Sequence, residues 1–123
     1  MTYTRHGIGA HPETSEGWDA WAADYAKLGA NPGYALGKEL LHEQVKAITA
    51  RPGVVLDFHC GAGDDIARFL AGGWGVVGCD GSAGMLRAAA TRCAGELESG
   101  RLELWHGQAE EMEPDSFGAR RLD

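Results

Sequence analysis

The feature that most restricts the fold is a short apolar run ending at a glycine-rich bend: Val54-Val55-Leu56-Asp57-Phe58, then His59-Cys60-Gly61-Ala62-Gly63. Such a run reads as a strand buried on both faces. The bend opens into helical spacing over 64–71, where Ile66, Phe69 and Leu70 are apolar, and Gly72-Gly73 breaks that helix. A second strand is predicted over 75–80, a second helix over 82–97 and a third strand over 102–106, after a turn at Ser99-Gly100. Strands alternating with helices imply right-handed crossovers and a parallel sheet. Residues 107–118 read as a loop, and Leu122-Asp123 as the opening of another strand.

Ahead of this unit the pattern is helical. Residues 1–14 form a polar lead-in in which His6 and His11 are expected in solvent. A helix is predicted over 15–28, capped by Ser15, with Trp18, Trp21, Tyr25 and Leu28 recurring at helical steps. That aromatic stripe is expected to pack on the domain; its functional alternative is a lid over a ligand. Asn31-Pro32 signals a new helix. Its apolar face is Leu36, Leu40, Leu41, Val45 and Ile48, and Arg51-Pro52-Gly53 ends it.

Composition narrows the partners. The 123 residues suffice for one core, and 44% hydrophobic with 24% charged residues is an ordinary soluble mix. A net charge of -7 argues against nucleic acid, which wants clustered basic surface. Arg120-Arg121, the only adjacent basic pair, reads as a solvated turn. Cys60, Cys79 and Cys93 lack metal or redox spacing and read as small buried residues of a reducing, cytoplasmic setting. Neither a signal peptide nor a membrane span is visible, so no membrane partner is expected.

The chemistry is expected at the bend. A glycine turn between a buried strand and a helix lets a ligand approach the backbone, and the helix start offers free N–H groups. The dinucleotide fingerprint needs a third glycine three residues after the second; Ile66 stands there. A phosphate-binding P-loop is excluded because no Gly-Lys-Ser/Thr follows. Asp80, at the end of the second strand, is placed to accept hydrogen bonds from both ribose hydroxyls. Its structural alternative is a helix cap, for which Ser82 competes.

On these residues the chain resembles the class I S-adenosylmethionine-dependent methyltransferases. Residues 54–63 are similar to the family's first motif, commonly Val-Leu-Asp-x-Gly-Cys-Gly-x-Gly. Val76-Val77-Gly78-Cys79-Asp80-Gly81-Ser82, with Met85-Leu86 behind, resembles the second-strand motif, and Gly107-Gln108-Ala109-Glu110 the loop after the third strand. The resemblance implies a Rossmann-like, three-layer αβα fold with a parallel central sheet, truncated here after the third strand. It implies S-adenosyl-L-methionine as cofactor. Asp57 would help hold its amino end, directly or through water, and Gly61 and Gly63 would let the backbone pass its methionine part. Asp80 would take the ribose hydroxyls, Gly81 and Met85 would flank ribose and adenine, and Gln108, Ala109 and Glu110 would border the adenine edge. Two residues depart from the pattern. His59 replaces a glycine and is a candidate base toward the acceptor, and Gln108 replaces a common aspartate.

The implied reaction is direct displacement of the methyl group by a small-molecule acceptor, with the protein aligning two reactants rather than supplying a nucleophile. Two domains are expected: a helical lead-in and cap over 1–53, and an incomplete cofactor-binding unit over 54–123. The family continues with further strands and helices, so one edge of the first strand is expected bare. The remainder of a longer protein or a homodimer partner would cover it. The alternatives are a non-catalytic S-adenosylmethionine-binding module and a fragment of an NAD-type oxidoreductase.

Overall fold

The computed structural model describes residues 14–113. The lead-in histidines, Arg120-Arg121 and the strand expected at Leu122 lie outside the described residues.

Helix α1 spans Ser15–Tyr25. Its cap is Thr14, not Ser15: Thr14 has extended backbone, and its hydroxyl accepts the Gly17 N–H at 3.2 Å. The helix stops before the expected Leu28 because the chain tightens into a 3-10 turn, Ala26–Ala30. Asn31 then caps α2 (Pro32–Ile48), its Oδ1 accepting the Tyr34 N–H at 3.0 Å with Pro32 in the first turn. Three strands follow where expected: β1 (Val54–Phe58), β2 (Gly75–Asp80) and β3 (Leu102–His106). The first crossover is α3 (Asp64–Ala71). The second is two helices rather than one, α4 (Ala83–Arg92) and α5 (Ala94–Ser99), parted at Cys93. Cys93 points into the core, 3% exposed, and the apolar spacing runs through the break, so the pattern does not mark it.

The sheet is parallel, in the order β1-β2-β3. Val54 lies beside Gly75 and Phe58 beside Cys79; Val76 lies beside Leu102 and Asp80 beside His106. All three strands therefore end at one rim, where sheets of this kind bind ligands. This is the Rossmann-like α/β architecture that the sequence implies.

The main core joins Ile66 and Leu70 of α3, Val76 of β2, Leu86 of α4, and Leu102 of β3. A side chain at Gly78 would have no room: a Cβ there would lie 2.8 Å from Ile66 Cδ1, 3.1 Å from Leu104 Cδ2 and 3.2 Å from Cys60 Sγ. The bare backbone that lets α3 sit close to the sheet is thus in β2, and Ile66 fills it. On the opposite face Val77 and Cys79 are covered by Val54, Leu56, Trp105 and Met112, none of them in an α-helix. The second helical layer of a three-layer sandwich is not among the described residues.

Two expected burials differ. β1 is half-buried rather than buried on both faces, and Phe58 is 42% exposed, because β1 is an edge of the sheet. On α2, Val45 packs against the core, but Leu36, Leu40, Leu41 and Ile48 are 53–82% exposed.

Candidate functional site

The bend after β1 is built from three left-handed residues, His59 (φ 55°), Gly61 (φ 58°) and Gly63 (φ 91°). Only glycine adopts this region freely, so His59 carries strain at the position where the sequence departs from glycine. The Cys60 N–H reaches the Cys79 carbonyl at 3.0 Å, extending the ladder by one step before the chain leaves the sheet. A Cβ on Gly61 would approach Tyr25 Cε1 at 3.2 Å. One on Gly63 would lie 3.0 Å from Ala89 Cβ, so Gly63 serves the close approach of α4.

Asp80 ties this bend to the next. Its Oδ2 accepts the Gly61 N–H at 2.9 Å, and its Oδ1 accepts the Ser82 N–H at 2.8 Å. It does not cap α4: Ser82 does, accepting the Met85 N–H at 3.1 Å. Each carboxylate oxygen of Asp80 has one bond here, and each has a second lone pair for a further donor.

Helix α1 forms the wall above. Asp19 Oδ1 accepts from Ser82 Oγ and from the Gly84 N–H, both at 2.6 Å. These bonds hold its carboxyl below the usual carboxylate range. A Cβ on Gly84 would lie 2.8 Å from Asp19 Cα, so the two helices cross at backbone contact. Trp18 and Tyr25 stand edge-to-face at 5.8 Å and pack around Ala22, Ala62 and Met85.

These elements enclose a cavity of about 370 Å³, lined by Thr14, Ser15, Trp18, Tyr25, His59, Gly61, Asp80, Gly81, Ser82, Met85 and Gln108. Six of the residues singled out in the sequence meet there: His59, Gly61, Asp80, Gly81, Met85 and Gln108. Asp57, Gly63, Ala109 and Glu110 do not line it. Ala109 and Glu110 sit in a 3-10 turn, Ala109–Glu111, beyond Gln108. In the sequence Ser15 and Ser82 were legible only as helix caps, and Thr14 not at all. Trp18 and Tyr25 were visible as an aromatic stripe expected to pack on the domain; they do pack, and both also line the cavity. A second cavity of about 300 Å³, bordered by His42, Phe69 and Trp74, lies between α2 and α3, away from the bend.

Asp57 sits behind the bend. Its Oδ2 is buried without a hydrogen-bond partner. Burial, then the nearby Asp65 charge, push its carboxyl up to about 6. Asp65 is itself occupied, by Lys38 Nζ at 2.6 Å and His42 Nε2 at 3.0 Å. Asp64 pairs with Arg68 and Arg92 at 3.3 and 3.2 Å. The start of α3 thus already holds two carboxylates, which disfavours a pyrophosphate there. The three cysteines are buried and free, and burial raises each thiol above its ordinary range. Among the described residues there is no metal-ligating cluster, and no helix is long and apolar enough to cross a membrane.

A family model described as a methyltransferase domain matches residues 55–120, a stretch that takes in β1, β2 and β3. The chain belongs to the methyltransferase domain family. Solved structures share the fold. The PH0226 protein from Pyrococcus horikoshii OT3 is 27% identical with a TM-score of 0.56, over 69% of this chain and 37% of that one. The glycopeptide N-methyltransferase MtfA, complexed with S-adenosyl-L-methionine, is 26% identical with a TM-score of 0.54, over 64% of this chain and 36% of that one. DhpI, in a complex with SAM and HEP, is 25% identical with a TM-score of 0.57, over 92% of this chain and 49% of that one. This methyltransferase-family chain therefore spans less than half the length of each. No curated protein sequence matches it significantly.

Proposed function

We propose that this chain binds S-adenosyl-L-methionine in the 370 Å³ cavity and serves direct methyl transfer to a small-molecule acceptor in the cytoplasm. One observation carries the reading: Asp80 stands at the cavity wall between two glycine-bearing turns, with accepting capacity left on both oxygens. A ribose has two adjacent hydroxyls to give to such a carboxylate.

The residues fit the cofactor in two further respects. Asp57 Oδ2 lies behind the bend as a buried acceptor without a donor, placed to reach an amino group through water rather than directly. Gly81 presents bare backbone to the cavity next to Asp80, leaving room for a flat ligand once the Gln108 amide moves. When bound, the cofactor supplies an electrophilic methyl on a sulfonium. The protein's part is to bind, orient and exclude water, since held reactants avoid the entropy cost of meeting. Asp80 would fix the ribose, Gly61 would shape the path of the methionine part with Gly63 behind it, and Gly81, Met85 and Gln108 would form the side nearest the adenine, with Ala109 and Glu110 in the turn beyond. His59 borders the cavity and is the base we assign for an acceptor that must lose a proton. In this division residues 1–53 form the cap and 54–123 the cofactor-binding unit, with the remainder of a longer protein or a second copy covering the β1 edge.

Calorimetric titration with S-adenosylhomocysteine and with NAD tests the assignment. Binding of the first and not the second is expected. Asp80→Ala weakens it at least about tenfold, about 1.4 kcal/mol. Unchanged affinity in a variant with native circular dichroism rejects the ribose role.

A further inference from the structure

The amide of Gln108 lies flat on the backbone of the turn after β2. A Cβ built on Gly81 would be 2.5 Å from Gln108 Nε2, 2.9 Å from its Cδ and 3.0 Å from its Oε1. From that position Nε2 donates to Ser15 Oγ, in the first turn of α1, at 3.2 Å. Gly81, Gln108 and Ser15 all line the same cavity, so this one side chain crosses it from floor to wall. The backbone of Gln108 is anchored separately, its N–H facing Glu111 Oε2 at 3.5 Å. The Gln108 side chain also takes part in a capping box with Glu111, so clearing the cavity takes a side-chain rotation that leaves the backbone in place and gives up that cap together with the Ser15 bond.

We infer that Gln108 and Ser15 form a latch that keeps the cavity closed in the free protein, and that an adenosyl ligand enters by lifting the amide from Gly81 and breaking its bond to Ser15. The inference rests on the proposed reading of the cavity. A ribose held by Asp80 must share the space beside Gly81, which the amide fills. The displaced amide is both donor and acceptor and re-pairs with a purine edge or with water, while Ser15 returns to solvent. The latch bond is exposed, so it lowers affinity without preventing binding: the apparent affinity is reduced by the fraction of molecules that are open.

Removing the Ser15 hydroxyl then tightens binding, the reverse of what loss of a ligand contact does. Thr14 supplies the helix cap and alanine suits a first helical turn, so Ser15→Ala leaves α1 intact. Stopped-flow mixing of the full chain with S-adenosylhomocysteine, followed by fluorescence of the cavity-lining Trp18, measures the rates. Ser15→Ala should raise the association rate constant and lower Kd by the same factor, about twofold to tenfold, the worth of one exposed hydrogen bond. Dissociation stays unchanged, and Ser15→Thr behaves as wild type. Equal or slower association, or weaker binding, by a natively folded Ser15→Ala overturns the latch while wild-type binding keeps the cavity assignment. Absence of binding to the wild type and the variant, confirmed by calorimetry, removes the cavity assignment and the latch with it.

Discussion

Asp57 and His59 show how single residues carry the tension in this site. His59 holds a left-handed backbone at φ 55°, a conformation that a side chain makes costly. Asp57 has a buried oxygen without a donor and a carboxyl pushed up to about 6 by burial and by Asp65. In the proposed complex Asp57 answers the cofactor's amino group through water from behind the bend, and a nearby cation favours the ionised form. As pH falls through about 6, Asp57 becomes protonated in the free protein, so binding must first remove a proton. Affinity for S-adenosylhomocysteine should be flat above about pH 7 and fall toward about tenfold per pH unit below pH 6, the linkage of one proton. Lys38, His42 and Asp65 lie near the same carboxyl, so the control is Asp57→Asn, which should abolish the fall. Titration calorimetry across pH 5–8 measures it, and an unaltered slope in the variant assigns the titration to another group.

At the scale of elements, most of the order was legible. β1, β2, β3 and α3 fall where apolar runs and glycine breaks place them, because each pattern is local. The parting of α4 from α5 at Cys93 was not legible, since Leu86, Ala89 and Cys93 keep one apolar face across it. Nor was the Thr14 cap, because Thr14 and Ser15 carry the same chemistry and only the backbone selects between them. Of the site, the residues on the β1 and β2 turns were readable from spacing. Asp19, Ser15 and Thr14 were not, because the crossing of α1 over α4 brings them in from more than sixty positions away. The packing of α3 on the sheet depends on Gly78, whose missing Cβ accommodates Ile66. Gly78→Ala should destabilise the fold by about 1–3 kcal/mol, the cost of overpacking a core. Urea denaturation checks this; a loss below about 0.5 kcal/mol would show that Ile66 can move aside.

At the scale of the molecule, apolar surface is left unpaired among the described residues. Leu36, Leu40, Leu41 and Ile48 on α2 and Phe58 at the β1 edge are all exposed, and a strand edge of this kind invites pairing. The resemblance implied a bare β1 edge, and β1 is an edge strand among the described residues, but α2 read as a buried face because periodicity reports amphipathicity and not what covers it. The 123-residue chain should bind a hydrophobic dye or self-associate. Sedimentation with dye titration checks this, and a strictly monomeric chain without dye binding would contradict it. The proposed cofactor site is a cavity made where two strands end under one helix. The most direct measurement is a crystal structure of the chain grown with S-adenosylhomocysteine. It should show both ribose hydroxyls on Asp80 and the Gln108 amide lifted from Gly81. An intact fold with that cavity empty would contradict the assignment.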